Sequence, residues 1–319
     1  MDTIYFIVQQ MWFFSIPLMV VALGGMFSER SGVINIALEG IMVFGAFCSI
    51  FFINKMQGIM SGQLLLVLAI LVAAGSGMLF SLLHAYAAIN LRADQTISGT
   101  ALNMGAPAIA IFAARMLQEN GVQQVPFENT FRIAKVPVLG DIPVLGPLLF
   151  QNTYITTYLG FIILIVATVV LYKTKFGLRL RACGEHPQAA DSVGVNVYRM
   201  RYAGVIISGA LGGLGGLIFV VPTSTNFNAT VSGYGFLALA VLIFGQWKPM
   251  RILLAALFFG LMKTIASAYS GIPGLKDLGI PSDIYKMVPF IATLIVLAFS
   301  SRNSAAPKAE GTPYDKGSR

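Results

Sequence analysis

From Tyr202 to Trp247 the chain carries no Lys, Arg, Asp or Glu. That block is about twice the length of one membrane crossing, because a helix rising about 1.5 Å per residue spans about 30 Å of hydrocarbon with roughly 20 apolar residues. A segment so lacking in charge cannot cover a water-facing surface. Its middle, the PTSTNFN run from Pro222 to Asn228, is a polar turn, so the block reads as two spans. The same criterion finds spans at about Tyr5–Met26, Val33–Ile53, Leu64–Ala88, Thr96–Leu117, Tyr154–Tyr172, Arg251–Ser270 and Tyr285–Ser300. The expectation is an all-α, polytopic membrane helical bundle with about nine (eight to ten) crossings. Composition agrees: 56% of the 319 residues are hydrophobic and only 11% charged, against about 25% charged in soluble domains. This excludes a disordered chain, a collagen-like fibre and a nucleic-acid-binding module, and it assigns the net charge of +8 to membrane loops. Cys48 and Cys183 offer neither a disulfide framework nor metal-ligand spacing, so no metal site is expected.

Orientation follows from Lys and Arg in short loops, which stay on the cytoplasmic side. The segment of about residues 173–201 holds Lys173, Lys175, Arg179, Arg181, Arg199 and Arg201 against Glu185 and Asp191, which places it inside. Alternation then puts the N-terminus outside and the tail inside, with Lys55 the one clear dissent. Asp2 and the lack of a basic stretch before the first apolar run argue against a removable signal peptide. Residues 1–300 thus form one transmembrane domain. Residues 301–319 gain Pro, Lys, Glu and Gly and read as a disordered cytoplasmic tail.

Two segments resemble each other. Ser31–Leu38 and Ser232–Leu239 share Ser, Gly, Ala and Leu in register, and Phe44-Gly45 matches Phe244-Gly245 after one deletion. The first copy runs from inside and the second from outside, so the expectation is an inverted internal repeat whose meeting point lies on a substrate path. Asn35, Glu39 and Phe236 then fall near that meeting point. Glu39 follows Asn35 by four residues, which would place both on one helix face. A carboxylate inside a membrane costs about 2.5–3.5 kcal/mol on insertion scales, so Glu39 either pairs with Arg30 or lines the path. Lys263 either snorkels, bridges or takes part in transport. His84 reads as a hydrogen-bonded packing residue, and Gln95, Ser98 and Asn103 as candidates for the interior.

The glycine run from Ser208 to Gly216 contains two G-x-x-x-G spacings and reads as close helix packing. The chain has no G-x-x-x-x-G-K-[ST] loop, no H-E-x-x-H and no G-x-S-x-G, so no catalytic residue is assigned. The polar stretch within the basic loop is the informative one. Pro187 can start a short helix, Ala189 and Ala190 are small, and Gly194 can end it, which suits a docking surface.

At these residues the sequence resembles the permease subunits of bacterial ABC importers of the branched-chain amino acid and simple-sugar type. Gly184–Gly194 (GEHPQAADSVG) looks like that family's coupling segment, which implies that Gly184, Glu185, His186, Pro187, Ala189, Ala190 and Gly194 seat in an ATPase subunit. Glu29–Gly40 (ERSGVINIALEG), Asn90–Gly99 with Ala101–Asn103, and Gly235–Pro249 are similar to the nucleoside-importing branch. The resemblance implies an ABC ATPase that binds ATP and Mg²⁺ outside this chain, a second permease subunit, an extracytoplasmic solute-binding protein and a nucleoside substrate, all at the bacterial plasma (inner) membrane. It implies no cofactor in the chain itself, and the residue reading above leaves Asn35, Glu39, Asn103 and Phe236 as candidates for the translocation path. Two rival functions are a ribose-type sugar permease and an ion-coupled secondary transporter using Glu39 and Lys263. An intramembrane enzyme would need paired catalytic residues that the sequence does not offer.

Overall fold

The computed structural model describes residues 2–118, 121–268, 284–285, 287–289, 291–292, 294 and 305–317. The helices, in chain order, are α1 (Asp2–Glu29), α2 (Leu38–Met56), α3 (Gln63–Ile89), α4 (Gln95–Leu117), α5 (Ile155–Lys173), α6 (Lys175–Glu185), α7 (Pro187–Ser192), α8 (Val197–Thr223), α9 (Tyr234–Phe244) and α10 (Pro249–Ala268). Four short strands, β1 (Val125–Pro126), β2 (Ile133–Lys135), β3 (Gln151–Thr153) and β4 (Asn226–Phe227), form two antiparallel pairs, β1 with β4 and β2 with β3. Both pairs lie in the connections that follow α4 and α8. They face the end of the bundle opposite α6 and α7, which carry the basic segment.

Among the described residues, seven helices, α1 to α5, α8 and α10, are long and apolar enough to cross a membrane. Two of the nine expected spans, the one that holds α9 and Tyr285–Ser300, are not among these seven. Helix α9 has only 11 residues, about 16 Å at the α-helical rise, and is too short to cross alone. Tyr285–Ser300 lies largely outside the described residues. The second apolar segment also starts later than expected, at Leu38 rather than Val33, because residues 33–37 are not helical.

Helix α8 is the centre of the bundle, packed against α1, α2 and α3. Its glycines allow this. A β-carbon on Gly213 would lie 2.2 Å from the Ala73 carbonyl oxygen, so α3 and α8 touch backbone to backbone as the G-x-x-x-G spacing requires. The opposite extreme is α4, which leaves Ile97, Met104, Phe112 and Met116 exposed along its length. Such a face is stable against lipid or another membrane subunit rather than water.

Residues 305–317, expected to be disordered, lie against the basic end. Tyr314 is 4% exposed and meets Tyr198 edge to face at 5.4 Å. Ala309 donates its amide to the Gly184 carbonyl at 2.8 Å, Gly311 to that of Gly32 at 3.2 Å, and Arg201 Nη1 donates to the Thr312 carbonyl at 2.9 Å. These partners are distant in sequence. Local composition, short of apolar residues, therefore could not reveal them.

Candidate functional site

Two regions concentrate the residues singled out by the sequence. The first surrounds the non-helical lead into α2. Unpaired backbone inside a bilayer is costly, so irregular chain at that depth must be satisfied by neighbours. Here side chains do it. Gln95 Oε1 accepts from the Ile34 amide at 2.7 Å, and His84 Nε2 donates to the Ile34 carbonyl at 2.8 Å. Asn103 Nδ2 donates to the Ile36 carbonyl at 2.8 Å, while its Oδ1 accepts from the Gly40 amide at 2.7 Å. Ser98 Oγ sits 3.0 Å from His84 Nδ1 and fixes the ring. Asn35, fully buried, donates from Nδ2 to Ser208 Oγ at 2.8 Å. Asn35 precedes α2, so it does not share a helix face with Glu39 as its spacing suggested.

Glu39 occupies the first turn of α2. Its Oε1 accepts from the Gly233 amide at 2.9 Å and its Oε2 from the Gly235 amide at 2.6 Å. The carboxylate thus meets donors at the start of α9 that have no intrahelical partner, where negative charge is also favoured by the helix dipole. Gly233 has φ +77°, and a β-carbon on Gly235 would stand 2.4 Å from the Glu39 Cα, so both glycines are needed for this approach. The alternative of a Glu39–Arg30 pair is not found. Arg30 instead donates from Nη2 to the Trp247 carbonyl at 3.2 Å and lies 3.5 Å from Glu185.

Beyond Glu39, α9 and α10 border a cavity of about 250 Å³. Phe236, Tyr234, Leu237 and Lys263 line it, and Phe236 is 51% exposed. Lys263 Nζ stands 5.8 Å from the centre of the Tyr234 ring. At the end opposite the basic segment, a second cavity of about 440 Å³ is lined by Asn54, Lys55, Gln118, Gln124 and Asn226.

The second region is the basic end. Thr174 caps α6 by accepting from the Gly177 amide, and α6 ends at Glu185. His186 connects it to α7, which Pro187 opens, and Gly194 turns out of it at φ +85°. The two alanines expected to act together point opposite ways. Ala190 is 4% exposed and packs with Cys183, Val197 and Tyr314, whereas Ala189 is exposed. Gly184 and Pro187 are buried, and His186, Gln188, Ser192, Val193 and Gly194 are exposed. Val193 is an apolar side chain at 78% exposure. Burial pushes the Cys183 thiol up to about 11, so it stays protonated at neutral pH.

Glu185 ties this surface to the bundle. It reaches Arg30, Arg30 reaches the Trp247 carbonyl, and Trp247 Nε1 donates to Glu29. Trp247 sits in the turn between α9 and α10, where Gln246 and Trp247 have φ +47° and +54°. Sequence reading missed Trp247, Tyr234 and the tail as parts of these sites. The one available signal was position: Trp247 ends the uncharged block and Tyr234 follows the repeated Ser-Gly pair. Among the described residues, no cluster of His, Cys, Asp and Glu could hold a metal ion.

Residues 7–297 match the family described as branched-chain amino acid transport system / permease component. The chain is 45% identical over 316 residues to the nucleoside ABC transporter permease protein NupC of Lactococcus lactis subsp. cremoris, covering 99% of this chain and 98% of that one. It is 46% identical over 307 residues to the guanosine ABC transporter permease protein NupQ of Bacillus subtilis, covering 96% and 95%. It is 30% identical over 301 residues to the putative glucose ABC transporter permease protein TsgC13 of Haloferax volcanii, covering 89% and 88%. No solved structure matches the chain significantly. With the profile spanning nearly its whole length, the chain belongs to the family of branched-chain amino acid transport system permease components.

Proposed function

We propose that the chain is a permease subunit of an ATP-driven nucleoside importer in the bacterial plasma membrane. The observation that carries this reading is a continuous run of contacts from Glu185, the last residue of α6 and next to α7, to the start of α9 beside the cavity: Glu185 to Arg30, Arg30 to Trp247, then the length of α9 to Glu39. Movement of α7 by a partner would be passed to α9 as a lever, because both ends of that short helix are held by charged side chains. The basic end is cytoplasmic in this reading, and an ABC ATPase, which supplies the ATP and Mg²⁺ chemistry, seats on His186, Ala189 and Val193. Exposed faces such as that of α4 are offered to lipid and a second permease subunit. The polar cavity at the opposite end faces an extracytoplasmic solute-binding protein. The Ser31 and Ser232 segments act as inverted copies: each Ser-Gly pair has a positive-φ glycine, and Glu39 from the first meets the amides of the second.

Full-length similarity to permeases named for nucleosides and guanosine supports a nucleoside as cargo. The likeness to a putative glucose permease favours a sugar as the second reading. Uptake of labelled guanosine, uridine and ribose in cells with and without the gene decides between them, with gene-dependent guanosine or uridine uptake expected. Docking is tested separately on α7. Ala189→Trp is expected to abolish co-purification of the ATPase while the permease yield stays normal. Ala190→Trp should lower the yield itself, since overpacking a buried position costs about 1–3 kcal/mol, and Arg179→Gln should be mild, as exposed charges contribute about 0–1 kcal/mol. Normal ATPase recovery with Ala189→Trp would remove α7 as the docking element.

A further inference from the structure

The cavity beside α9 brings three features together, with Lys263 Nζ above the face of the Tyr234 ring at 5.8 Å. Tyr234 is 1% exposed, yet its hydroxyl has no hydrogen-bond partner. Lys263 has no ion-pair partner among the described residues and lies within a helix long and apolar enough to cross a membrane. Phe236 leaves half its surface open on the same cavity. A buried donor without an acceptor and an intramembrane cation without an anion are both unfavourable in isolation. They are explained together if an acceptor arrives with a ligand.

The chemistry of the lining narrows that ligand. Among the described residues no carboxylate lines the cavity, and Glu39, at the start of α9, has both oxygens engaged by Gly233 and Gly235. Side-chain donors on Lys263, Tyr234 and Ser232 and an aromatic face suit a flat, uncharged ring system bearing carbonyl or ring-nitrogen acceptors. A sugar presents as many hydroxyl donors as acceptors, and Ser232 is the one side-chain acceptor lining the cavity free to receive them besides the tyrosine. Pockets for drug-sized ligands run to about 300–1,000 Å³, so a cavity of about 250 Å³ takes one small solute at a time. We propose that this cavity is a transient nucleobase site on the translocation path, with Phe236 stacking on the base and Lys263 and the Tyr234 hydroxyl donating to its acceptors. The proposal rests on the nucleoside-permease reading and names the site and contacts within it. A base held this way is bound by one stacked face and two donors, which favours capture without tight retention.

The test uses the assembled transporter in lipid nanodiscs or vesicles, supplied with its solute-binding protein. Phe236→Leu is expected to reduce guanosine and uridine uptake about tenfold, the size of loss that removing a base–aromatic stack produces, and Lys263→Met about tenfold or more, as for a lost charged hydrogen bond. Tyr234→Phe, which deletes only the hydroxyl, should raise the half-saturating concentration while leaving yield and ATPase co-purification unchanged. Photolabelling of the wild-type complex with 8-azidoguanosine gives a readout independent of the variants, with label expected on peptides containing Phe236 or Lys263. Unchanged uptake in Lys263→Met and Phe236→Leu, or label confined to other peptides, overturns the site while leaving the nucleoside reading intact. A wild type that carries ribose and no nucleoside overturns the reading and the site together.

Discussion

Glu39 shows how far a single residue can be read before its surroundings are known. Its charge inside an apolar run announced a polar partner, and the cost of burying it required one. The partner proved to be backbone: two amides at the start of α9 rather than the guanidinium of Arg30. Those amides belong to residues almost two hundred positions away, so no local spacing could point to them. The role has a measurable consequence. Glu39→Ala leaves two amides without an acceptor and is expected to cost about 1–3 kcal/mol, seen as a lowered melting temperature of the purified complex. Glu39→Gln keeps one acceptor and should lose less stability and retain most of its guanosine uptake at matched expression. Loss of uptake in Glu39→Gln with an unchanged melting temperature would instead support charge relay and the ion-coupled mechanism. Asn103 and His84 follow the same pattern, since their polarity was legible while the carbonyls they satisfy were not.

At the scale of elements, long helices were readable and short ones only in part. Apolar length gave α1 to α5, α8 and α10, and Pro187 with Gly194 marked α7. The face of α7 was not readable, because which of two adjacent alanines is buried depends on where Cys183 and Tyr314 lie. The tail was misread for the same reason. Its contacts include Glu310, whose carboxyl burial raises to about 7 from the usual 4.5, against the lowering effects of its hydrogen bond with Glu29 and of the Arg30 charge. A raised pKa means that docking takes up a proton. Because Glu310 is hydrogen-bonded to Glu29, the proton belongs to the pair, whose stabilisation is therefore complete below about pH 4.5 and is lost as the pH rises through about 7. Limited proteolysis of the tail in the purified complex should accordingly speed up across that window and level off above it, and Glu310→Gln should flatten the response. A tail whose cleavage is independent of pH in the unmodified chain would contradict the assignment.

For the whole molecule, sidedness is the property most directly set by charge. On a background lacking Cys48 and Cys183, a cysteine at exposed Val193 is expected to react only from the cytoplasmic side, and one at exposed Gln123 only from the outside. Labelling of both from one side would break the proposed arrangement. The sequence by itself determined that the chain lies in a membrane, which pole is basic, that α8 packs closely through its glycines and which family the chain resembles. These properties depend on composition, length and spacing along one stretch of chain, and they hold whatever the neighbours are. Only the tertiary structure decided that α2 starts at Leu38 with its lead held by Gln95, His84 and Asn103, that Glu39 meets α9, that Ala190 turns inward and that residues 305–317 are docked. Each of these is a pairing between polar groups or surfaces far apart in sequence. Hydrogen bonding and burial act through distance in space, and the linear pattern records only that a partner is needed.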